Sequence, residues 1–292
     1  MIFPLAVLAA LCALNLAHAE TQVRDDSGTN LRLAGPARRI VSLAPHITEN
    51  LFAAGAGNRI VGVVDYSDYP EAALRIAHVG GASSPDIEAI VALHPDLVIA
   101  WQSGSSSALV RKLQALGIRV FQSQPDRMED IPTGIEKLGR LAGTEIVAAK
   151  TAARLRLRLA ALRRQFSGKA HVPVFYEVWH RPLMTVGGGQ IISDVIRVCG
   201  GENIFASQIG MAPVVSVEAV LAADPWAIVA GDVGDGKRLD EWRKWPHLKA
   251  VARGNLFFVP TDLMQRPTPR LFDGAELLCQ QIETARSRRP HR

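Results

Sequence analysis

One segment of this chain occurs twice. Residues Ile87–Ala100 align without gaps on Val217–Ala230, and five of the fourteen positions are identical: Glu88/Glu218, Ala89/Ala219, Ala92/Ala222, Pro95/Pro225 and Ala100/Ala230. Each copy reads as a short helix, a proline turn and a continuous apolar run, the pattern of a strand buried on both faces. A fainter echo links Gly55-Ala56-Gly57-Asn58 with Gly200-Gly201-Glu202-Asn203. A chain that repeats a helix–strand unit at this offset is constrained to two similar halves built from such units.

The rest of the pattern agrees. Apolar runs at 39–44, 60–64, 97–100 and 119–122 read as strands of the first half, and those at 172–178, 227–230 and 256–259 as strands of the second. Helical spacing lies between them, at 47–54, closed by Gly55 and Gly57, and at 108–116, closed by Gly117. Such alternation gives a mostly parallel sheet. Residues 145–165 differ: a run without Gly or Pro, rich in Ala, Leu and Arg, predicts one long helix. Its basic residues Lys150, Arg154, Arg156, Arg158, Arg163 and Arg164 read as a solvated face. A final helix is expected from Arg270 onward. The fold class is therefore α/β: two lobes, each a mostly parallel sheet with flanking helices, bridged by one long α-helix. The lobes are expected at 38–143 and 169–292, with the linking helix at 144–168.

Residues 1–19 contain no Asp, Glu, Lys or Arg and end in Ala17-His18-Ala19, a small-residue cleavage pattern. The apolar stretch is shorter than the roughly 20 residues of a spanning helix. A cleaved secretory signal peptide is expected, and with it a periplasmic location. Its removal leaves Cys199 and Cys279. In an oxidising compartment a disulfide is the default expectation, with two buried free thiols as the alternative. The net charge is +5, but four arginines, Arg286, Arg288, Arg289 and Arg292, lie in the last seven residues. A basic tail without an aromatic-rich basic motif does not argue for nucleic-acid binding.

Common enzyme signatures are missing: there is no G-x-x-x-x-G-K-[ST], H-E-x-x-H or G-x-S-x-G, and the eight histidines lack metal-ligand spacing. No catalytic residue, resident cofactor or metal site is assigned. What stands out is aromatic and polar side chains at strand ends, where open α/β sheets hold ligands. Tyr66 and Tyr69 follow the second strand and Trp101 ends the third. Tyr176 and Trp179 close the first strand of the second half, and Asp262 and Arg266 follow its last. Flat rings with a few polar groups suit a large planar or macrocyclic ligand. His46 and His180 read as loop residues near the same ends.

The segments Arg39–Pro45 with Thr48 and Glu49, Tyr66–Pro70, Ile90–Trp101, Val198–Phe205 and Thr268–Arg270 carry a resemblance. Together they resemble the periplasmic substrate-binding proteins of ABC importers that take up cobalamin, haem and ferric siderophores, above all the cobalamin-binding members. The resemblance implies two lobes bridged by one long helix. It implies that Tyr66 and Trp101 contact a corrinoid, that Asp262 and Arg266 form a polar pair in the second lobe of the cleft, and that Cys199 and Cys279 are bridged. It also implies that Glu88 and Glu218, one per lobe, dock on arginines of the membrane permease. Ser84-Pro85 and Ser216 read as the N-cap signals of their helices. The chain departs from the cobalamin-binding pattern at Ala82 and Ala212, where tryptophans stand, and at Val178 and Met184, where phenylalanines stand. Trp179, Met211 and Met264 are candidates to fill part of that space.

The function expected is capture of a corrinoid between two lobes and delivery to an ABC importer by a monomeric receptor. Within the same class the alternative is haem or a ferric siderophore. The alternative of another class is an exported α/β enzyme with dispersed catalytic residues.

Overall fold

The computed structural model describes residues 20–166, 168–232 and 238–289. The signal peptide read at 1–19 lies outside them. The described chain opens on an antiparallel hairpin, β1 (Thr21–Arg24) and β2 (Asn30–Leu33). The first lobe then alternates β3 (Ile40–Ser42), α1 (Pro45–Ala53), β4 (Ile60–Val63), the short hairpin β5 (Gly80–Gly81) and β6 (Ser84–Pro85), α2 (Ile87–Ala92), β7 (Leu97–Trp101), α3 (Ser107–Ala115), β8 (Val120–Ser123) and α4 (Asp130–Ala142). Its four-stranded sheet runs β4-β3-β7-β8, with every pair parallel.

The helix α5 (Glu145–Phe166) leads to the second lobe. There the order is β9 (Val172–Glu177), the hairpin β10 (Trp179–His180) and β11 (Leu183–Met184), α6 (Ile191–Val198), β12 (Gly201–Asn203), α7 (Val217–Ala223), β13 (Ala227–Asp232), α8 (Lys249–Ala252), β14 (Leu256–Pro260), α9 (Thr261–Met264) and α10 (Leu271–Ser287). The sheet runs β12-β9-β13-β14, again all parallel. The sequence repeat is thus a structural repeat: α2 with β7, and α7 with β13, take equivalent places in the two lobes.

Side chains alternate across these strands because successive Cβ atoms leave a strand on opposite faces. Leu97 and Ile99 of β7 join one core cluster, and Val98 and Ala100 join another under α2 and α3. In β13, Ala227 and Val229 face the first of these clusters, while Ile228 and Ala230 face a third. The first cluster is continuous between the lobes. It is carried across by Ala148, Leu155, Leu159, Leu162 and Phe166, one stripe of α5 at helical spacing.

Local signals set the element ends. Pro45 opens α1, where its missing N–H and fixed φ cost nothing. Gly143 ends α4 at φ +68, and a Cβ there would lie 2.9 Å from the Pro36 ring, so the turn into α5 admits only glycine without rearrangement. Ser216 caps α7 by accepting the Ala219 N–H at 3.1 Å, in line with its N-cap signal. For α2 the expectation is corrected. Asp86, not Ser84, is the cap, accepting the N–H groups of Glu88 and Ala89 at 2.9 and 3.1 Å, while Ser84-Pro85 is strand β6. Cys199 at the end of α6 is bonded to Cys279 in α10, which removes the free-thiol alternative.

Two further findings differ from the sequence pattern. The hairpin β1–β2 precedes residue 38 and packs against α4. Asp25 in its turn is buried and accepts the N–H of Thr29 and of Gln122. The α5 arginines are also not simply solvated. Arg156 makes a bidentate pair with Glu136 of α4, at 2.6 Å in both bonds, and Arg158 bonds Asp273 and Glu276 of α10, each at 2.7 Å. Among the described residues no helix is long and apolar enough to cross a membrane.

Candidate functional site

The C-terminal ends of both sheets face one another across a cavity of about 700 Å³. The first lobe supplies Trp101, Gln102 and Ser103 after β7, and Gln124, Pro125 and Asp126 after β8. The second supplies Val178 after β9, the segment 189–192 at the start of α6, the loop 208–212, and Gln265 and Pro267 after α9. Strand ends of a parallel sheet are where backbone direction changes and side chains converge, and the cavity sits there in both lobes.

Trp101 is the aromatic wall. Its ring is packed by two neighbours. His46 meets it edge to face, with centroids 5.2 Å apart and planes at 84°. Gly104 also abuts the indole, and a Cβ there would come within 2.0 Å of it. His46 is not the loop residue the sequence suggested. It lies in the first turn of α1, is buried, and among the described residues its Nε2 has no hydrogen-bond partner. Burial, with a smaller contribution from the Arg266 charge, lowers its pKa from 6.5 to about 3. The ring is therefore neutral at physiological pH and acts as packing beneath Trp101.

The opposite wall is aliphatic. Gly187 and Gly188 abut the loop that follows β12, and a Cβ on either would fall 2.5 and 2.3 Å from the carbonyl oxygens of Gln208 and Ala206. That close seating presents Ile209, 95% exposed, together with Met211 along the rim. Ile209, Met211 and Ala212 line the cavity with Val178, Val186 and Ile192. Sequence pattern does not reveal the aliphatic wall, apart from Met211 as a space-filler. Its one sequence signal is the run Gly187-Gly188-Gly189, whose purpose is fixed only by tertiary contact.

The other residues singled out fall in several places. Tyr66 is 80% exposed, at φ +64 on the loop after β4, and is not among the lining residues. Trp179 is half exposed in the β10–β11 hairpin, donates its indole N–H to the Arg181 carbonyl at 2.9 Å, and lies 5.8 Å from the Arg238 guanidinium. His180 is exposed beside it. Tyr69 packs on Arg270 at 4.0 Å, outside the cavity. Tyr176 is a correction: it is a core residue inside β9, wholly buried, its hydroxyl without a partner among the described residues, and burial pushes its pKa up. Ala212 lines the cavity, whereas Ala82 packs on the first-lobe core. Met184 pairs with Trp179 in the hairpin, and Met264 is buried core.

Arg266 and Asp262 sit together at the cleft edge, 3.5 Å apart. The guanidinium is already engaged from the first lobe. It donates to Glu49 at 3.1 Å and to Asp68, and its hydrogen bond holds the Asp68 carboxyl below the usual range. Glu88 and Glu218 occupy matching places in the first turns of α2 and α7. Backbone hydrogen bonding, and then Ser216, lower the pKa of Glu218.

The model of a periplasmic binding protein matches residues 40–263 of this chain. The chain belongs to the periplasmic binding protein family. Among relatives of the family, the vitamin B12-binding protein of Vibrio cholerae serotype O1 is 37% identical over 253 residues, covering 86% of this chain and 91% of that protein. The vitamin B12-binding protein of Photorhabdus laumondii is 34% identical over 244 residues, covering 84% and 87%. The crystal structure of the periplasmic vitamin B12 binding protein BtuF of Vibrio cholerae superposes with a TM-score of 0.81 at 37% identity, covering 86% of this chain and 98% of that one. The periplasmic heme-binding protein RhuT of Roseiflexus shares the fold, with a TM-score of 0.73 at 23% identity over 85% and 99% of the two chains.

Proposed function

We propose that this periplasmic binding protein captures a corrinoid of the cobalamin type between its lobes and delivers it to an ABC importer, without chemical turnover. The observation that carries the reading is the interlobe cavity, with Trp101 on one side and Ile209 and Met211 on the other, in a chain more than one-third identical to vitamin B12-binding proteins over nearly their whole length. A flat ring stacks on an indole and buries its second face against aliphatic side chains, and both contacts gain from water release. Tyr66 and Trp179, exposed near the strand ends, would close on the ligand's edges, with the Asp262–Arg266 pair, its guanidinium held by Glu49 and Asp68, forming the polar edge of the cleft. Glu88 and Glu218 are the docking points for the permease, one per lobe. Residues 1–19 act as the export signal, and the mature chain works as a monomer.

Absorbance titration of the purified protein with cyanocobalamin and with haem tests the reading. A saturable spectral change with cyanocobalamin is expected. A tight complex with haem and none with cyanocobalamin would overturn it.

A further inference from the structure

The polar lining of the cavity is chemically uniform. Five glutamines, Gln102, Gln124, Gln190, Gln208 and Gln265, face it from both lobes. Asp126 is the one ionisable side chain among the described lining residues, and these include no Lys, Arg or His. Two of the amides are held in place. Gln124 accepts the Ser103 N–H at 3.1 Å and hydroxyl at 2.8 Å, and donates to Asp126 at 2.7 Å. Gln190 accepts the Ile192 N–H at 2.6 Å and lines the cleft. Among the described residues the side-chain amides of Gln102, Gln208 and Gln265 have no hydrogen-bond partner.

Two of the neighbouring cations are committed elsewhere. Arg266, flanked by Gln265 and Pro267, is bound by Glu49 and Asp68. Arg127 and Arg197 line an adjoining hollow of about 760 Å³, where Arg197 is paired with Asp194. A primary amide both donates and accepts, so a glutamine satisfies another primary amide completely. A carboxylate only accepts. Brought into this lining it would lose water, meet no cation among the described lining residues, gain only neutral amide N–H donors and lie near Asp126.

Building on the corrinoid reading, we infer that this cleft selects the fully amidated, uncharged periphery of the ring, and that the glutamines are the specificity-determining residues. A tetrapyrrole whose rim carries carboxylates is rejected by the same lining.

The test keeps the ring constant and changes only its rim. Calorimetric titrations at neutral pH and about 0.15 M salt, where the Debye length is about 8 Å, compare three probes. These are cyanocobalamin, dicyanocobinamide and dicyanocobyrinic acid, the last carrying carboxylates in place of the amides. The two amidated probes are expected to bind more than about tenfold more tightly than the acid. A ratio of about tenfold or less overturns the inference while leaving the corrinoid reading intact. Failure of all three to bind overturns both. The double variant Gln208→Arg with Gln265→Arg, at two exposed positions, is expected to tighten the acid by about tenfold or more. An unchanged preference in that variant also overturns the assignment of the glutamines.

Discussion

Glu49 places its buried carboxylate between two arginines of the opposite lobe: Arg270 donates to it at 2.9 and 2.6 Å, and Arg266 at 3.1 Å. The carboxylate comes from α1 and the guanidiniums from the turn before α10, so the contact crosses the cleft at its base. A buried charge is tolerated only when paired and hydrogen-bonded, and three donors satisfy that requirement. Asn50 adds a bond to the Pro267 carbonyl at 3.0 Å, and Asp194 of α6 accepts the buried Met128 N–H at 2.9 Å on the other side of the interface.

Glu49→Gln removes the charge but keeps the shape, leaving Arg270 without its counter-ion and Arg266 with Asp68 and Asp262 alone. The expected loss of stability is about 3 kcal/mol, read as a lower urea midpoint by circular dichroism. A midpoint unchanged from the wild type would show that the clamp contributes nothing.

His46 makes stability depend on pH in a definite direction. In the fold its ring stays neutral down to about pH 3, whereas in the unfolded chain it takes up a proton near 6.5. The unfolded state therefore binds more protons between these values, and stability falls as pH drops through that window, at up to about 1.4 kcal/mol per pH unit. Above the window this group adds no slope. His46→Phe keeps a ring under Trp101 without a titrating nitrogen, so denaturation midpoints from pH 6.5 to 4.5 should decline less steeply. Equal slopes in the two proteins would contradict the assignment.

Trp101→Ala and Tyr66→Ala should each weaken corrinoid binding by roughly 1–3 kcal/mol, measured by calorimetry. Gly104→Val should act through Trp101, since the indole occupies the space a side chain needs. If both aromatic truncations leave affinity unchanged, the ligand does not sit in this cleft.

The Cys199–Cys279 bond closes a separation of 80 residues. Replacing both cysteines with serine is expected to lower stability by about 2–4 kcal/mol through the freer unfolded chain. Equilibrium denaturation of the double variant checks this, and a loss below about 0.5 kcal/mol would rule out a stabilising bridge.

Glu88→Ala combined with Glu218→Ala should leave corrinoid affinity intact and slow uptake in cells, because exposed rim charges govern association rather than the distant cleft. Wild-type uptake by the double variant would remove these residues from the docking surface.

Strands buried on both faces leave continuous apolar runs, so the two sheets are legible in the sequence, and the internal repeat alone assigns β7 and β13 to equivalent places. Helix α4 is not legible, because Pro132 and Gly134 in its first turns read as breakers. The β1–β2 hairpin turns only Val23, Leu31 and Leu33 inward, too few to show a period. In the site, Trp101 is visible as a strand-end aromatic. Its support by His46 is hidden because Pro45, which reads as a strand stop, opens a helix that carries the imidazole inward. The aliphatic wall depends on Gly187 and Gly188 meeting a loop some twenty residues away, a contact that local periodicity does not encode.

Helix α5 is riveted on one flank to α4 through Arg156 and Glu136, and on the other to α10 through Arg158, Asp273 and Glu276. Together with Glu49 at the base of the cleft, these bonds make the molecule a braced frame rather than a pair of jaws. If Glu88 and Glu218 dock as proposed, the span between them in a frame of this kind would serve as a gauge. A transporter measuring only that gauge would find the same length on a full receptor as on an empty one, so news of the cargo has to come from the mouth of the cleft itself.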